Sequence, residues 1–386
     1  MQSVGSTTQA LFKSALAIFV VTIVIGILNG MGVWDPPHEL VMTHVHAGTL
    51  GWITLAVVGV LLRMFARPDD GPGAGRLGLA VISSTVIYVI AFAATTGTFR
   101  PIAGTLMLAA IIWVLVWVSA RYRSSERTAA HLAMFLATIS LAVGAVLGVL
   151  LGFFIALGEI PGLGIETAQA IAGAHPPAML AGYLAVASLG IIYWLFAGGA
   201  GILARVVVWA LFVAGMLFNI AFILDQEMLI QIASLLQVLG IVAFVVVMWS
   251  VVAPKAWGGP DDLGRLGVAY LVLAVGLLVY VVQLFVSGQL VPETGEGPIR
   301  VLIAFDHALF IGVMSNVLFG VVSRMVEGVS HRPIMWGVNL GLVVFLAGLL
   351  ADNDTIIAIG APVMGLALLY GIARFLMAPW RTPAVS

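Results

Sequence analysis

Runs of about 20 consecutive apolar residues recur twelve times along the chain, each long enough to cross a bilayer core of about 30 Å. They begin near Leu11, Leu40, Arg76, Pro101, Ala129, Ala168, Ile202, Glu227, Leu266, Ile299, Ile334 and Thr355. Polar and glycine-rich stretches separate them, among them Gly71–Gly75, Gly158–Gly164, Gly258–Gly264 and Gly295–Gly297. The runs do not alternate as barrel strands would. The pattern predicts an all-α integral membrane protein of twelve transmembrane helices, residues 1–386 forming one membrane domain. The first span follows Lys13 and runs to Gly30. It is longer than a signal-peptide core of about 7–15 residues, so it reads as a retained helix.

Composition supports this and narrows the chemistry. Of 386 residues 62% are apolar and 9% charged, and mean hydropathy is +1.17. That excludes a soluble enzyme, a disordered chain and a nucleic-acid binder with a basic face. There is no cysteine, which removes disulfides, thiolate metal sites, iron–sulfur clusters and covalent c-type haem attachment. No G-x-S-x-G, H-E-x-x-H or P-loop occurs, and Gly71–Gly75 reads as a polar loop. Segments after even-numbered spans carry the basic residues, including Arg63, Arg67, Arg76, Arg121, Arg123, Arg127, Arg205, Lys255, Arg265, Arg324 and Arg332. Segments after odd-numbered spans hold only Arg100 and Arg300, with ten of the seventeen acids. By the positive-inside rule both termini are expected in the cytoplasm, with the plasma membrane of a bacterium as the compartment.

The spans repeat in groups of four. The second reads His46-Ala-Gly-Thr-Leu-Gly51, then Gly59 and Arg63. The tenth reads His307-Ala-Leu-Phe-Ile-Gly312, then Gly320 and Arg324. The sixth matches the second in another register. His44 stands seven residues before Gly51, and His175 seven before Gly182. Three four-helix repeats, roughly 1–128, 129–257 and 258–386, in a pseudo-threefold arrangement, account for the chain.

Of seven histidines, His44, His46, His175 and His307 lie within spans. Ionisable residues there are costly and point to function. His46, His175 and His307 lie about six to eight residues in, roughly 9–12 Å from the same face. His46 and His307 share one pattern and form the expected ligand pair. Two positions apart on a helix is about 200° of rotation, so His44 faces away from His46. His44 and His175 either form a second site or pack against polar neighbours. His38, His131 and His331 read as interfacial. Asp306 is the carboxylate placed inside a span. It is a hydrogen-bond partner for an imidazole or a proton carrier. Two imidazoles from different helices suit a haem, with Arg100 and Arg300 as partners for its propionates.

These features resemble subunit I of the haem-copper oxidases and nitric oxide reductases. The stretch from His44 to Trp52 resembles helix 2 of that group, and His307 through Pro333 its NnrS-like branch. The resemblance implies a low-spin haem b held by His46 (or His44) and His307. The first histidine of the family's helix-10 H-x-H would hold a catalytic haem, and that position here is Phe305. The helix-6 ligand of its copper or non-haem iron site would map onto His175. The seventh span, Ile202–Leu224, supplies none of the further histidines. The implied function is therefore electron transfer or a nitric-oxide and respiratory stress response, without an intact binuclear centre and without oxidase activity. Partners would be haem, membrane lipid and a respiratory electron donor or quinone. The alternatives are a secondary transporter using Asp306, with Pro176-Pro177 breaking the sixth span, and a copper-binding or assembly protein using His44 and His175.

Overall fold

The computed structural model describes residues 3–158, 164–196, 201–259, 261–290 and 298–381. Of the sequence features above, positions 159–163 and 260 and the whole of Gly295–Gly297 lie outside them, and with them Glu159, Glu293 and Glu296 of the ten acids. Twelve helices are long and apolar enough to cross a membrane: α1 (Val4–Gly30), α2 (His38–Phe65), α3 (Gly71–Ala94), α4 (Phe99–Tyr122), α5 (Ala129–Leu157), α6 (Ile165–Leu195), α7 (Ile202–Leu224), α8 (Glu227–Val252), α9 (Asp262–Val286), α10 (Ile299–Ser323), α11 (His331–Leu350) and α12 (Asp354–Met377). Among the described residues there is no strand, only an isolated bridge between Val326 and Trp380. The protein is an all-α twelve-helix integral membrane protein.

Most helices begin a few residues before the apolar run does, because polar first turns keep helical geometry. Gly71–Gly75 is a correction. It is the first turn of α3 rather than a loop, with Pro72 near the helix start. Proline is tolerated there because the first amide groups have no partner within the helix. Pro176-Pro177 is another. The α6 backbone runs helically through both.

Burial separates the helices by type. The apolar windows of α2, α6 and α10 are 83%, 83% and 72% buried, against 28–56% for the other nine. Every fourth helix is thus an interior one, as three four-helix repeats require. The three share a further feature. Each widens into a π-helical segment at the same sequence position: Ala47–Thr54 in α2, Ala178–Leu184 in α6 and Ala308–Ser315 in α10. Every segment opens on an alanine with a glycine four residues on: Ala47 and Gly51, Ala178 and Gly182, Ala308 and Gly312. The wider turn shows in bonds that span five residues, such as Ala185 N–H to the Leu180 carbonyl and Asn316 N–H to that of Ile311. π-Helical turns gather at functional sites.

The helices group into two compact units. Among the described residues the first comprises those up to Ala15 and Leu50–Val247, and the second Leu16–Thr49 and Met248–Arg381. In the first, sequential helices α3 to α6 pack side by side, and α7 crosses α6 so closely that a side chain at Gly215 would meet the Gly182 backbone at 2.5 Å. Asp70, just before α3, receives Arg121 Nε at 2.8 Å and also bonds Arg121 Nη2. Arg63 lies over the Trp194 ring. In the second, α11 and α12 are paired tightly through Gly341 and Gly360, where added carbons would lie 2.3 and 2.4 Å from opposing backbone nitrogens. Asn316 and Asn339 exchange reciprocal amide hydrogen bonds of 2.8 and 3.0 Å between α10 and α11.

Candidate functional site

Four imidazoles project from the second and third turns of the interior helices, and each has Nδ1 against a backbone carbonyl, of its own helix for His46 and His307 and of the preceding helix for His44 and His175. His44 Nδ1 lies 2.8 Å from the Thr22 carbonyl oxygen, His46 Nδ1 2.7 Å from that of Met42, His175 Nδ1 2.9 Å from that of Gly144 and His307 Nδ1 2.9 Å from that of Ile303. A carbonyl oxygen only accepts, so each Nδ1 carries the proton and donates. In the neutral rings of His44, His175 and His307 the lone pair is then on Nε2. This is the arrangement by which ligating histidines are oriented: the far nitrogen is fixed by an outer partner and the near one is left for a metal.

Within the second unit two of these rings converge. The His44 and His307 ring centres are 6.3 Å apart, with planes inclined by 28°. His44 is seated against α1. Its ring lies over Gly26, where an added carbon would be 2.8 Å from Cε1. His307 is backed by the Phe345 ring, centre to centre 4.8 Å.

Both rings line a cavity of about 640 Å³. That lies inside the range of about 300–1,000 Å³ for small-molecule and cofactor sites. Ile25, Val41, Ile303, Phe345, Leu349 and Ile357 give it apolar walls, and Asn29, Arg300, Asp354 and Thr355 add polar groups. His44 is six residues and His307 eight residues into its span, so the rings lie roughly 9–12 Å from the helix starts.

Sequence reasoning paired His46 with His307, while the ring facing His307 is that of His44. The half-turn between positions 44 and 46 applies, and His46 is not among the cavity's lining residues. Arg300 lines the cavity and is ion-paired to Asp352 at 2.8 Å and Asp354 at 2.6 Å. Arg100 belongs to the first unit, where Nη2 donates to the Phe92 carbonyl at 2.9 Å and the guanidinium covers that residue's ring. Asp306 has one carboxylate oxygen shielded from solvent and without a hydrogen bond among the described residues. Phe305 is buried at 3% exposure.

His175, in the first unit, repeats the seating of His44 in detail. Its ring lies over Gly148, where an added carbon would be 2.8 Å from Cε1, and Gly148 stands four residues after the accepting carbonyl of Gly144. Gly26 stands four residues after Thr22 in the same way. The two glycines are 122 residues apart and the two histidines 131. The difference falls within the helices, since the connections 31–37 and 158–164 are equal in length: Gly148 lies farther from its helix end than Gly26 does, and His175 farther into its helix than His44. A glycine four residues after the accepting position, followed one helix later by histidine, was the available sequence signal.

Among the described residues no group of three or more His, Asp and Glu side chains gathers as a metal site. The chain matches no family model, and no curated protein matches it.

Proposed function

We propose that the protein is a membrane haem-binding electron-transfer protein in which His44 and His307 would hold the haem. The observation that supports this reading is the approach of two imidazoles, ring centres 6.3 Å apart and each with Nδ1 tied to a backbone carbonyl, at the wall of one cavity. The donor set fits haem b, because no cysteine exists for covalent attachment. The apolar walls fit a porphyrin. Arg300 has a buried Nη1 that makes no hydrogen bond, and it supplies a cation for a propionate.

When bound, the haem supplies one-electron redox chemistry. The chain's contribution is orientation and exclusion. Thr22 and Ile303 fix the ring tautomers, Gly26 lets the His44 ring dock, and Phe345 closes one side of His307. His44 and His307 together would hold the group for electron transfer rather than for substrate binding. Phe305 lacks a ligating atom, and α7 contains no histidine. The reading is therefore electron transfer in a respiratory or nitric-oxide response, with a quinone or respiratory donor as partner, rather than oxygen or nitric oxide reduction. The positive-inside pattern supports cytoplasmic termini in a bacterial inner membrane, with the site toward the opposite face.

The test is an absorption spectrum of detergent-purified protein from haem-supplied cells, oxidised and reduced, with and without nitric oxide. His44→Ala and His307→Ala should each abolish the low-spin spectrum, and His46→Ala should retain it. A colourless wild-type protein refutes the reading, and so does a spectrum unchanged by His44→Ala.

A second reading, a secondary transporter, is favoured by the unpaired buried oxygen of Asp306. Substrate uptake by haem-free vesicles that is lost in Asp306→Asn would support it.

A further inference from the structure

We propose that Arg300 is an exchangeable carboxylate clamp at the cavity, occupied by Asp352 and Asp354 until an anionic edge of the ligand replaces them. The inference rests on the haem reading above and concerns what selects the ligand, beyond what ligates it.

Arg300 is the cationic side chain among the cavity's lining residues, and Asp354 lines it too. Nη2 donates to Asp354 Oδ1 at 2.6 Å. Nη1 is different. Asp352 Oδ1 is 2.8 Å away, yet Nη1 makes no hydrogen bond and is shielded from solvent. The aspartate is close in charge but off the N–H direction. The guanidinium therefore has charge partners and still has an unspent buried donor.

The two acids are loosely held. Their side chains are 84% and 86% exposed, whereas that of Arg300 is 34% exposed. Exposed ion pairs contribute little and are screened by salt. A carboxylate arriving from the cavity side can bond bidentately to the guanidinium, and the displaced aspartates return to water at small cost. Until then the two acids outnumber the one arginine. A small free anion meets net negative charge and has no other anchor. A ligand already fixed by His44 and His307 brings its carboxylate to Arg300 at high effective concentration and wins the exchange. Arg300 and its two aspartates thus select for an anchored carboxylate over free anions.

The test titrates haem-free protein in nanodiscs with haem and with haem dimethyl ester, which keeps the iron and ring but has no carboxylates. Wild-type protein should bind haem more tightly than the ester. Asp352→Asn with Asp354→Asn should tighten haem about two- to tenfold and leave the ester unchanged. Arg300→Gln should remove the preference for haem. Thermal unfolding of each variant checks that it is folded, and both aspartates are exposed enough to replace safely. An unchanged haem-to-ester ratio in the double aspartate variant overturns the clamp, as does a preference that survives in Arg300→Gln. If neither porphyrin binds wild-type protein, the haem reading itself has failed. If both bind equally, the reading stands and the clamp does not.

Discussion

Gly26→Ala should disable the candidate site without touching either proposed ligand. The added carbon would stand 2.8 Å from His44 Cε1, where ordinary contact begins near 3.4 Å. The ring must retreat by about 0.6 Å, because the new atom is fixed to the α1 backbone. The Nδ1 bond to Thr22, now 2.8 Å, belongs to that same helix. A retreat of this size takes it to the limit of hydrogen-bond distance. Loss of the bond is worth about 0.5–1.5 kcal/mol of stability. Loss of an outer partner of a ligating histidine typically costs 10–100-fold in affinity. The assay is haem titration followed by absorption and electron paramagnetic resonance, with thermal unfolding alongside. Gly148→Ala is the internal control. It strains His175 by the same contact, 2.8 Å, but lies in the other unit, so the spectrum from His44 and His307 should persist. The reasoning is refuted if Gly26→Ala binds haem as wild type does with an unchanged spectrum, or if Gly148→Ala removes the signal equally.

Three other outcomes test the frame around the site. Asn316→Leu alone strands the Asn339 amide and should cost about 1–3 kcal/mol; adding Asn339→Leu should recover most of it, measured as unfolding in detergent. Gly341→Ala would drive a carbon against the Met364 backbone at 2.3 Å, so α11 and α12 must separate; sharply lowered thermal stability is expected, with no rescue from trimming the Met364 side chain. The Arg121 guanidinium bonded to Asp70 holds that carboxyl below the usual carboxylate range. Its folded value is depressed, so the pair's stabilisation is present above the ordinary carboxylate value of about 3.9 and disappears as pH falls through the lowered folded value; melting in acid should show this loss in wild type and not in Arg121→Gln.

The twelve spans were legible because twenty apolar residues in a row admit almost no other reading. The interior helices were legible too. Ala47, Gly51 and Gly59 recur as Ala178, Gly182 and Gly190 and as Ala308, Gly312 and Gly320, and the structure gives all three groups the same π-helical opening. Helix starts were less legible. Lys13 and the Gly71–Gly75 run look like boundaries, but helical hydrogen bonding tolerates a polar or glycine turn at a helix end. The histidine facing His307 was the least legible feature. His44 and His46 have nearly the same depth and composition around them, and only the rotation of α2 about its axis separates them.

That rotation is set by α1 rather than by α2. The imidazole of His44 can approach α1 only where a side chain is missing and a carbonyl is within reach, and Gly26 and Thr22 provide both on one face, a single turn apart. The carbonyl is identical in every residue, so half of this device leaves no mark in the sequence. The other half is one glycine in a chain that has 44. Its recurrence as Gly144 and Gly148 beneath His175 lifts it above background, because the same carbonyl-to-glycine spacing seats the same ring atom in a second, separate unit. The two copies of the seat each satisfy a buried imidazole Nδ1 and fix its ring, so a feature carried by the internal repeat, rather than by either histidine alone, sets which way His44 faces.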